Sequence, residues 1–221
     1  MTSLATPLRA ASVEQLDVAA YIVPTDAPEA DGTLAWNDTT VVVVRPHAAG
    51  ESGLGYTYAD VSTASLVQTK LAEVVRGQDA MDPSAAWAAM VRATRNLGRP
   101  GVTSMAIAAV DLSLWDLKAR LLGLPLCRLL GMVRDRVPIY GSGGFTSYAG
   151  PRLCEQLAGW VERGIAQVKM KVGSSPEDDP ARVRAARLAI GPGAELLVEP
   201  MALISAGRRW PSASASAPRR R

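Results

Sequence analysis

The chain has 221 residues, room for one large or two small domains, and its 48% hydrophobic content suits a protein that buries a core. No apolar run approaches the roughly 20 residues of a membrane span, and the N-terminal MTSLATPLRAAS lacks the continuous apolar core of a signal peptide. The net charge of +3 comes from 24 basic and 21 acidic residues; without the five arginines after Pro200 the balance is 19 to 21, so the body shows no basic footprint for nucleic acid.

Residues 14–23 and 39–46 read as strands, β-branched and bounded by Pro24 and Pro46. Between them, Thr25 to Asp38 reads as a polar loop carrying Gly32 and Trp36. Gly53 to Tyr58 suits a third strand or a turn. Ser62 or Thr63 is expected to cap a helix reaching Arg76, with Leu66, Leu71 and Val74 on one face. Asp82-Pro83 supplies a cap and a first-turn proline for a helix to about Asn96. A long helix over 106–122 places Ile107, Val110, Leu114 and Leu117 at three- and four-residue steps. Three strands followed by helices suggest a separate α+β domain.

From Val137 the pattern becomes strand, helix, strand, helix, strand. The strands are expected at 137–140, 166–172 and 195–199, and the helices at 151–163 and 180–190. Short connections make these successive βα units of a parallel sheet. The second strand ends in Lys169-Met170-Lys171. Strand alternation points both lysines to one face and Met170 to the other. Two adjacent ammonium groups lower each other's pKa, and a neutral lysine is a competent general base. A bare K-x-K is ordinarily a pair of solvated lysines, so its context decides.

That context is AIAAVDLSLWDLKARLLGLPLCRLLG, residues 106–131. It resembles the mandelate racemase/muconate lactonizing enzyme family of the enolase superfamily. There a helix with a D-x-x-x-W-D-x-x-[AG]-[KR] core ends in G-x-P-x-x-x-L-L-G, and a K-x-K closes the second barrel strand. Asp111, Trp115, Asp116, Lys118, Gly123, Pro125, Leu129, Leu130 and Gly131 fit, although Lys118 precedes Ala119 instead of following it. The resemblance spans roughly residues 14–199. It implies an α+β capping domain over 1–131, then the first βα units of an incomplete TIM-type (β/α) barrel over 132–199. A whole barrel takes about 250 residues, and the stretch from Val137 onward offers about a third of that.

The resemblance also implies a chemistry. The family abstracts the α-proton of a small carboxylate or sugar acid bound to Mg²⁺, and its outcomes include racemisation, cycloisomerisation and sugar acid dehydration. By position Lys171 is the base, and Lys169 tunes it and helps neutralise the carboxylate. Three acidic ligands from the third, fourth and fifth strands hold the metal, and oxygen ligands suit that hard cation. The Pro24 to Thr39 loop and the Gly53 to Tyr58 segment hold the places of the capping-domain loops that close over the substrate in the family; Trp36 and Tyr56 would shield it there, though packing on their own domain would use them at least as readily. Ser142-Gly143-Gly144 follows the first barrel strand, where glycines serve a substrate's approach or a plain turn.

After Val198 the character breaks. Residues 200–221 have no amphipathic period and are rich in Ser, Ala, Pro and Arg, the composition of a disordered tail. Restoring one base in the Glu199 codon lets codons compatible with Val198 to Leu203 read Val-Asp-Ala-Asn-Gly-Ala, the family's strand end. The tail is therefore expected to be out of frame and the chain truncated within its barrel. Glu199 stands at the first ligand position, but one carboxylate does not hold Mg²⁺, so neither metal binding nor turnover is expected of the chain as written. His47 reads as a solvated loop residue. The alternative is a non-catalytic interaction or dimerisation module derived from the capping domain. Two cysteines without metal-type spacing, Cys127 and Cys154, suit a reducing cytoplasm. Neither nucleic acid nor membrane is an expected partner, whereas self-association is open to an uncovered parallel sheet.

Overall fold

The structure, a computed structural model, describes residues 11–200. Within them the chain divides into two compact units, residues 11–26 with 38–137, and residues 27–37 with 138–200. The expected out-of-frame tail lies outside the described residues apart from Pro200, which ends a strand.

β1 (Gln15–Ala30) neighbours β2 (Ala35–Ala48), with residues 27–30 and 35–37 counted in the second unit and the rest of both strands in the first, where β2 also pairs with β3 (Glu51–Ser52) and β4 (Gly55–Tyr58). The β2–β4 ladder is antiparallel, from Val41 opposite Tyr58 to Val44 opposite Gly55. The polar loop expected over 25–38 is mostly strand. The Asp31 carboxylate accepts from the backbone N–H groups of Thr33 and Leu34 at 2.7 and 2.9 Å, which reverses the chain within four residues. Pro24 and Pro28 are tolerated because β1 is an edge strand in this sheet. His47 therefore lies in β2, not in a loop.

Helix α1 (Ser62–Leu66) runs through a π turn, Val67–Leu71, into α2 (Ala72–Val75). Its first turn is held by neither Ser62 nor Thr63 but by Asp60, whose carboxylate accepts from the Ser62 N–H at 2.8 Å. In α3 (Pro83–Ala93) the expected cap is present, Asp82 accepting from the Ala85 N–H at 3.0 Å. The long α4 (Val102–Leu121) starts four residues earlier than its apolar period indicated, and buries Ile107, Val110, Leu114 and Leu117. A Cβ on Gly53 or Gly55 would fall 2.2 or 2.1 Å from the Ser113 or Ala109 carbonyl oxygen of α4, so only glycine lets this stretch lie on the helix. The short α5 (Leu126–Leu129) follows.

The second unit is built from β5 (Gly141–Ser142), α6 (Gly150–Glu162), β6 (Gln167–Val172), α7 (Asp179–Ile190) and β7 (Glu195–Pro200). Its sheet is parallel in the order β5-β6-β7, as the βα pattern requires. The strand expected at 137–140 is instead irregular chain, and only Gly141 and Ser142 pair with β6. Ile139 and Tyr140 are exposed there, so apolar alternation without a ladder partner has not made a strand. Val168, Met170 and Val172 are fully buried against Leu153, Leu157, Ala186 and Ile190.

Candidate active site

The buried trio of β6 decides where its lysines go. With Val168, Met170 and Val172 facing the helices, Lys169 and Lys171 share the opposite face, as period two demands. The register of β6 on β7 sets Lys171 opposite Glu199. One oxygen, Glu199 Oε2, accepts from Lys169 Nζ at 2.9 Å and from Lys171 Nζ at 3.1 Å. Lys169 also lies 5.3 Å from the centre of the Tyr140 ring, and Lys171 lies 5.8 Å from that of Phe145.

Glu199 changes the expected electrostatics. Its hydrogen bond raises the Lys169 pKa above the ordinary lysine value, in place of the depression expected from Lys171 alone. Conversely Lys169, then Lys171, hold the Glu199 carboxyl below its ordinary range. Lys169 is therefore a firmly charged ammonium, and the carboxylate between the lysines is its cause.

The glycines after β5 serve packing. Gly144, at φ +58°, carries its backbone so close to β6 that a Cβ would sit 2.6 Å from Met170 Cβ, and Gly141 lies against the Trp160 ring. Gly144 O accepts from the Lys171 N–H at 2.9 Å, which pins the backbone that carries Lys171. Trp36, on the 27–37 segment, meets Phe145 edge to face at 5.6 Å and donates to Glu29 Oε2 at 2.8 Å. The same segment is tied down by Thr146, whose N–H donates to Ala30 O at 2.8 Å and whose hydroxyl donates to Asp31 O at 2.7 Å. Tyr56 is exposed on β4 and meets Tyr58.

Several residues of this region escaped the sequence reading. Asp31 is held below the ordinary aspartate range by the N–H groups of Thr33 and Leu34, with Lys171 adding attraction. Asp179 opens α7 fully buried and accepts from the Gly173 N–H at 2.9 Å, just past Lys171. Burial pushes its carboxyl up. Arg182, one turn on, donates to Tyr148 O and Phe145 O at 2.8 and 3.0 Å. The usable signal was an aspartate beside a proline at a helix start, in PEDDP.

The residues of the D-x-x-x-W-D stretch act within the first unit. Asp116 accepts from the Leu54 N–H and from Arg120, both at 2.8 Å, and burial pushes the Asp111 carboxyl up. His47 pairs with Asp17 at 2.8 Å. Among the described residues no group of three or more His, Cys, Asp or Glu is placed to hold a metal ion, and no helix is long and apolar enough to cross a membrane. Nor does the 201–221 sequence contain Asp, Glu, His or Cys. Magnesium asks for several oxygen ligands. The one carboxylate oriented here is already held by two ammonium groups, so the residues present do not fit the ion.

The family of the mandelate racemase / muconate lactonizing enzyme N-terminal domain matches residues 11–131, and that of the enolase C-terminal domain-like region matches residues 152–217. The crystal structure of a mandelate racemase/muconate lactonizing enzyme-like protein from Rubrobacter xylanophilus matches with a TM-score of 0.83 and 60% identity, over 85% of this chain and 52% of that one. A racemase from Streptomyces coelicolor A3(2), solved with bound magnesium, matches at 0.79 and 32%, over 84% and 54%. The L-talarate/galactarate dehydratase of Salmonella typhimurium is 32% identical over 155 residues, 68% of this chain and 39% of its own length. The 3,6-anhydro-alpha-L-galactonate cycloisomerase of Streptomyces coelicolor is 31% identical over 194 residues, 85% of this chain and 54% of its own length. The chain thus spans about half the length of these relatives, or less. With a capping domain, the opening βα units of a barrel and a family match over more than half its residues, the chain belongs to the mandelate racemase / muconate lactonizing enzyme family.

Proposed function

We propose that Lys169 and Lys171 form the proton-abstracting end of a site for small carboxylates of the sugar acid class, and that in this chain that end is closed on itself and silent. The supporting observation is Glu199 Oε2, held by both ammonium groups at 2.9 and 3.1 Å. A carboxylate is the ligand this lysine pair grips, by two charge-assisted hydrogen bonds. Talarate and galactarate, named in one relative, are carboxylates of that class. With such a substrate in place of Glu199, Lys171 in its neutral form takes the α-proton onto Nζ. Lys169 keeps its charge and opposes the negative charge that gathers on the carboxylate. In the family, magnesium supplies the larger share of that charge stabilisation, and the donor set here does not fit it.

Two measurements test the reading. The purified 221-residue protein, incubated in D₂O with Mg²⁺ and galactarate or an aromatic hydroxy acid, is expected to leave the α-proton unexchanged by NMR; deuterium incorporation overturns the silence. In Glu199→Ala the lysine Cε resonances are expected to shift saturably with galactarate, and Lys169→Met in that background to abolish the shift. A flat titration of Glu199→Ala removes the carboxylate assignment.

One observation favours a second reading, an interaction or self-association module carried by the capping domain. Tyr21, Ile22 and Val23 on β1, and Tyr56 and Tyr58 on β4, leave at least half of their surface exposed in a single sheet. Concentration-dependent mass in light scattering that Tyr56→Glu eliminates would establish it; a monomer at all concentrations would exclude it.

A further inference from the structure

One turn of α7 grips the chain on two sides of Lys171. Asp179 and Arg182 stand three residues apart and so share a helix face. Asp179 is fully buried, and its Oδ2 accepts at 2.9 Å from the N–H of Gly173, two residues past Lys171. Gly173 sits at φ +114°, where only glycine is at ease, so the carboxylate fixes the turn by which the chain leaves β6. Arg182 reaches the other way, to the loop between β5 and α6. Its two terminal nitrogens donate to Tyr148 O at 2.8 Å and to Phe145 O at 3.0 Å. Both carbonyls belong to one turn, in which the Tyr148 N–H donates to Phe145 O at 3.1 Å. That turn adjoins Lys171 twice. The Lys171 N–H donates to Gly144 O at 2.9 Å, and the Phe145 ring centre lies 5.8 Å from Lys171 Nζ.

We propose that Asp179 and Arg182 are positioning residues that act as one clamp on Lys171: Asp179 fixes where β6 ends, and Arg182 fixes the Phe145 ring beside the ammonium. A guanidinium presents its donors as a rigid fork, which is what two carbonyls of one turn require and a lysine does not supply. The atoms left over support a role beyond stability. Asp179 Oδ1 and Arg182 Nε are both buried without a hydrogen-bond partner. A pair placed for stability alone would join those atoms to each other; here both side chains are committed to the backbone on either side of the lysine. The functional meaning rests on the reading of Lys171 as the base. A base acts only within hydrogen-bond reach of its proton, and a misplacement of about 1 Å can cost about 10²-fold in rate.

The test reads Lys171 in the 221-residue protein without any substrate. Its failure is therefore distinct from failure of the carboxylate reading, which the galactarate titration of Glu199→Ala decides. In ¹H–¹³C NMR of the lysine Cε groups, with Lys171→Arg identifying the signal, the Phe145 ring is expected to displace the Lys171 Hε protons upfield, and Phe145→Leu to remove the displacement. Arg182→Lys keeps the charge that attracts Asp179 but cannot fork across two carbonyls. It is expected to lose most of the displacement, while the Lys169 signal, beside the Tyr140 ring, moves less. Asp179→Ala is expected to lose it as well, and Asp179→Asn, which keeps an oxygen for the Gly173 N–H, to retain it. The Asp179 pair decides the proposal should Arg182→Lys not fold. A merely structural pair would lower the urea midpoint of each variant and leave the Lys171 signal of the folded protein in place. That result overturns the proposal, as does an equal movement of both lysine signals.

Discussion

Lys169, Lys171 and Glu199 form a three-charge cluster that carries a net positive charge with its side chains only partly exposed. Because Glu199 is held below the ordinary glutamate value of 4.5, first by Lys169, the stabilisation it contributes is fully present above pH 4.5 and lost as pH falls through its lowered pKa. Lys169 is held above the ordinary 10.5, so its share is complete below pH 10.5 and lost as pH climbs through the raised pKa. The Lys169–Glu199 pair is intact across the whole interval between. In Glu199→Gln the repulsion from Lys171 is left unopposed, and the Lys169 titration followed by ¹³Cε NMR is expected to move to a lower midpoint. An unmoved midpoint would mean that Glu199 is not what holds the proton. Asp179 poses a different problem, since it is buried and its Oδ1 has no hydrogen-bond partner. Its Oδ2 nevertheless fixes Gly173, and its charge faces Arg182. Asp179→Ala would strand the Gly173 N–H and leave Arg182 without its nearby carboxylate, at a cost of about 1–3 kcal/mol. Urea unfolding followed through the indole NMR signal of Trp160, in the second unit, measures this; a change under 0.5 kcal/mol would show that the chain closes over Gly173 without the carboxylate.

At the scale of elements, close approach is governed by glycine. Gly55→Ala drives a Cβ to 2.1 Å from the Ala109 carbonyl oxygen, and backbone cannot swing aside as a long side chain can. A loss of about 1–3 kcal/mol is expected from overpacking between β4 and α4. Gly159, inside α6, has nothing within 4 Å of the point a Cβ would occupy, so Gly159→Ala should stabilise by about 0.5–1 kcal/mol through helix propensity. Chemical denaturation of both variants gives the two signs side by side, and a neutral Gly55→Ala would refute the packing argument. The same elements show what a sequence discloses. The lysine face of β6 was legible because Val168, Met170 and Val172 alternate with it, a local property. The α4 core was legible from Ile107, Val110, Leu114 and Leu117 for the same reason. Glu199 as the partner of both lysines was not legible, because the β6–β7 register is set by packing across 28 residues of chain. The hairpin over 25–38 was hidden by Pro24 and Pro28, which argue against a strand until the strand is known to be an edge. Residues 137–140 misled in the other direction, since alternation without a ladder partner leaves irregular chain.

For the molecule as a whole, stability follows from how each unit fills its core. The first unit encloses Val13, Val44, Leu71, Met90, Leu114 and Leu117 between an antiparallel sheet and several helices, and each is at most 1% exposed. The second encloses a smaller set around Leu153, Leu157 and Met170, under a sheet that has three strands among the described residues. Burying a leucine is worth about 1.5–3 kcal/mol, so the larger core has the larger reserve against the entropy of ordering its chain. Local stability is expected to follow the same order. In native-state hydrogen exchange under rising urea, the amides of Val110 and Leu114 on α4 should report a higher opening free energy than those of Val168 and Met170 on β6. The amides of Leu196 to Val198 should open at lower free energy still, because among the described residues β7 has a ladder on one side only. Leu117→Ala, leaving a cavity in the first core, should lower the α4 values by about 2–5 kcal/mol. If α4 and β6 instead converge on one opening free energy in the parent chain, the two units unfold in a single cooperative step, and the smaller core draws support that its own contacts do not supply.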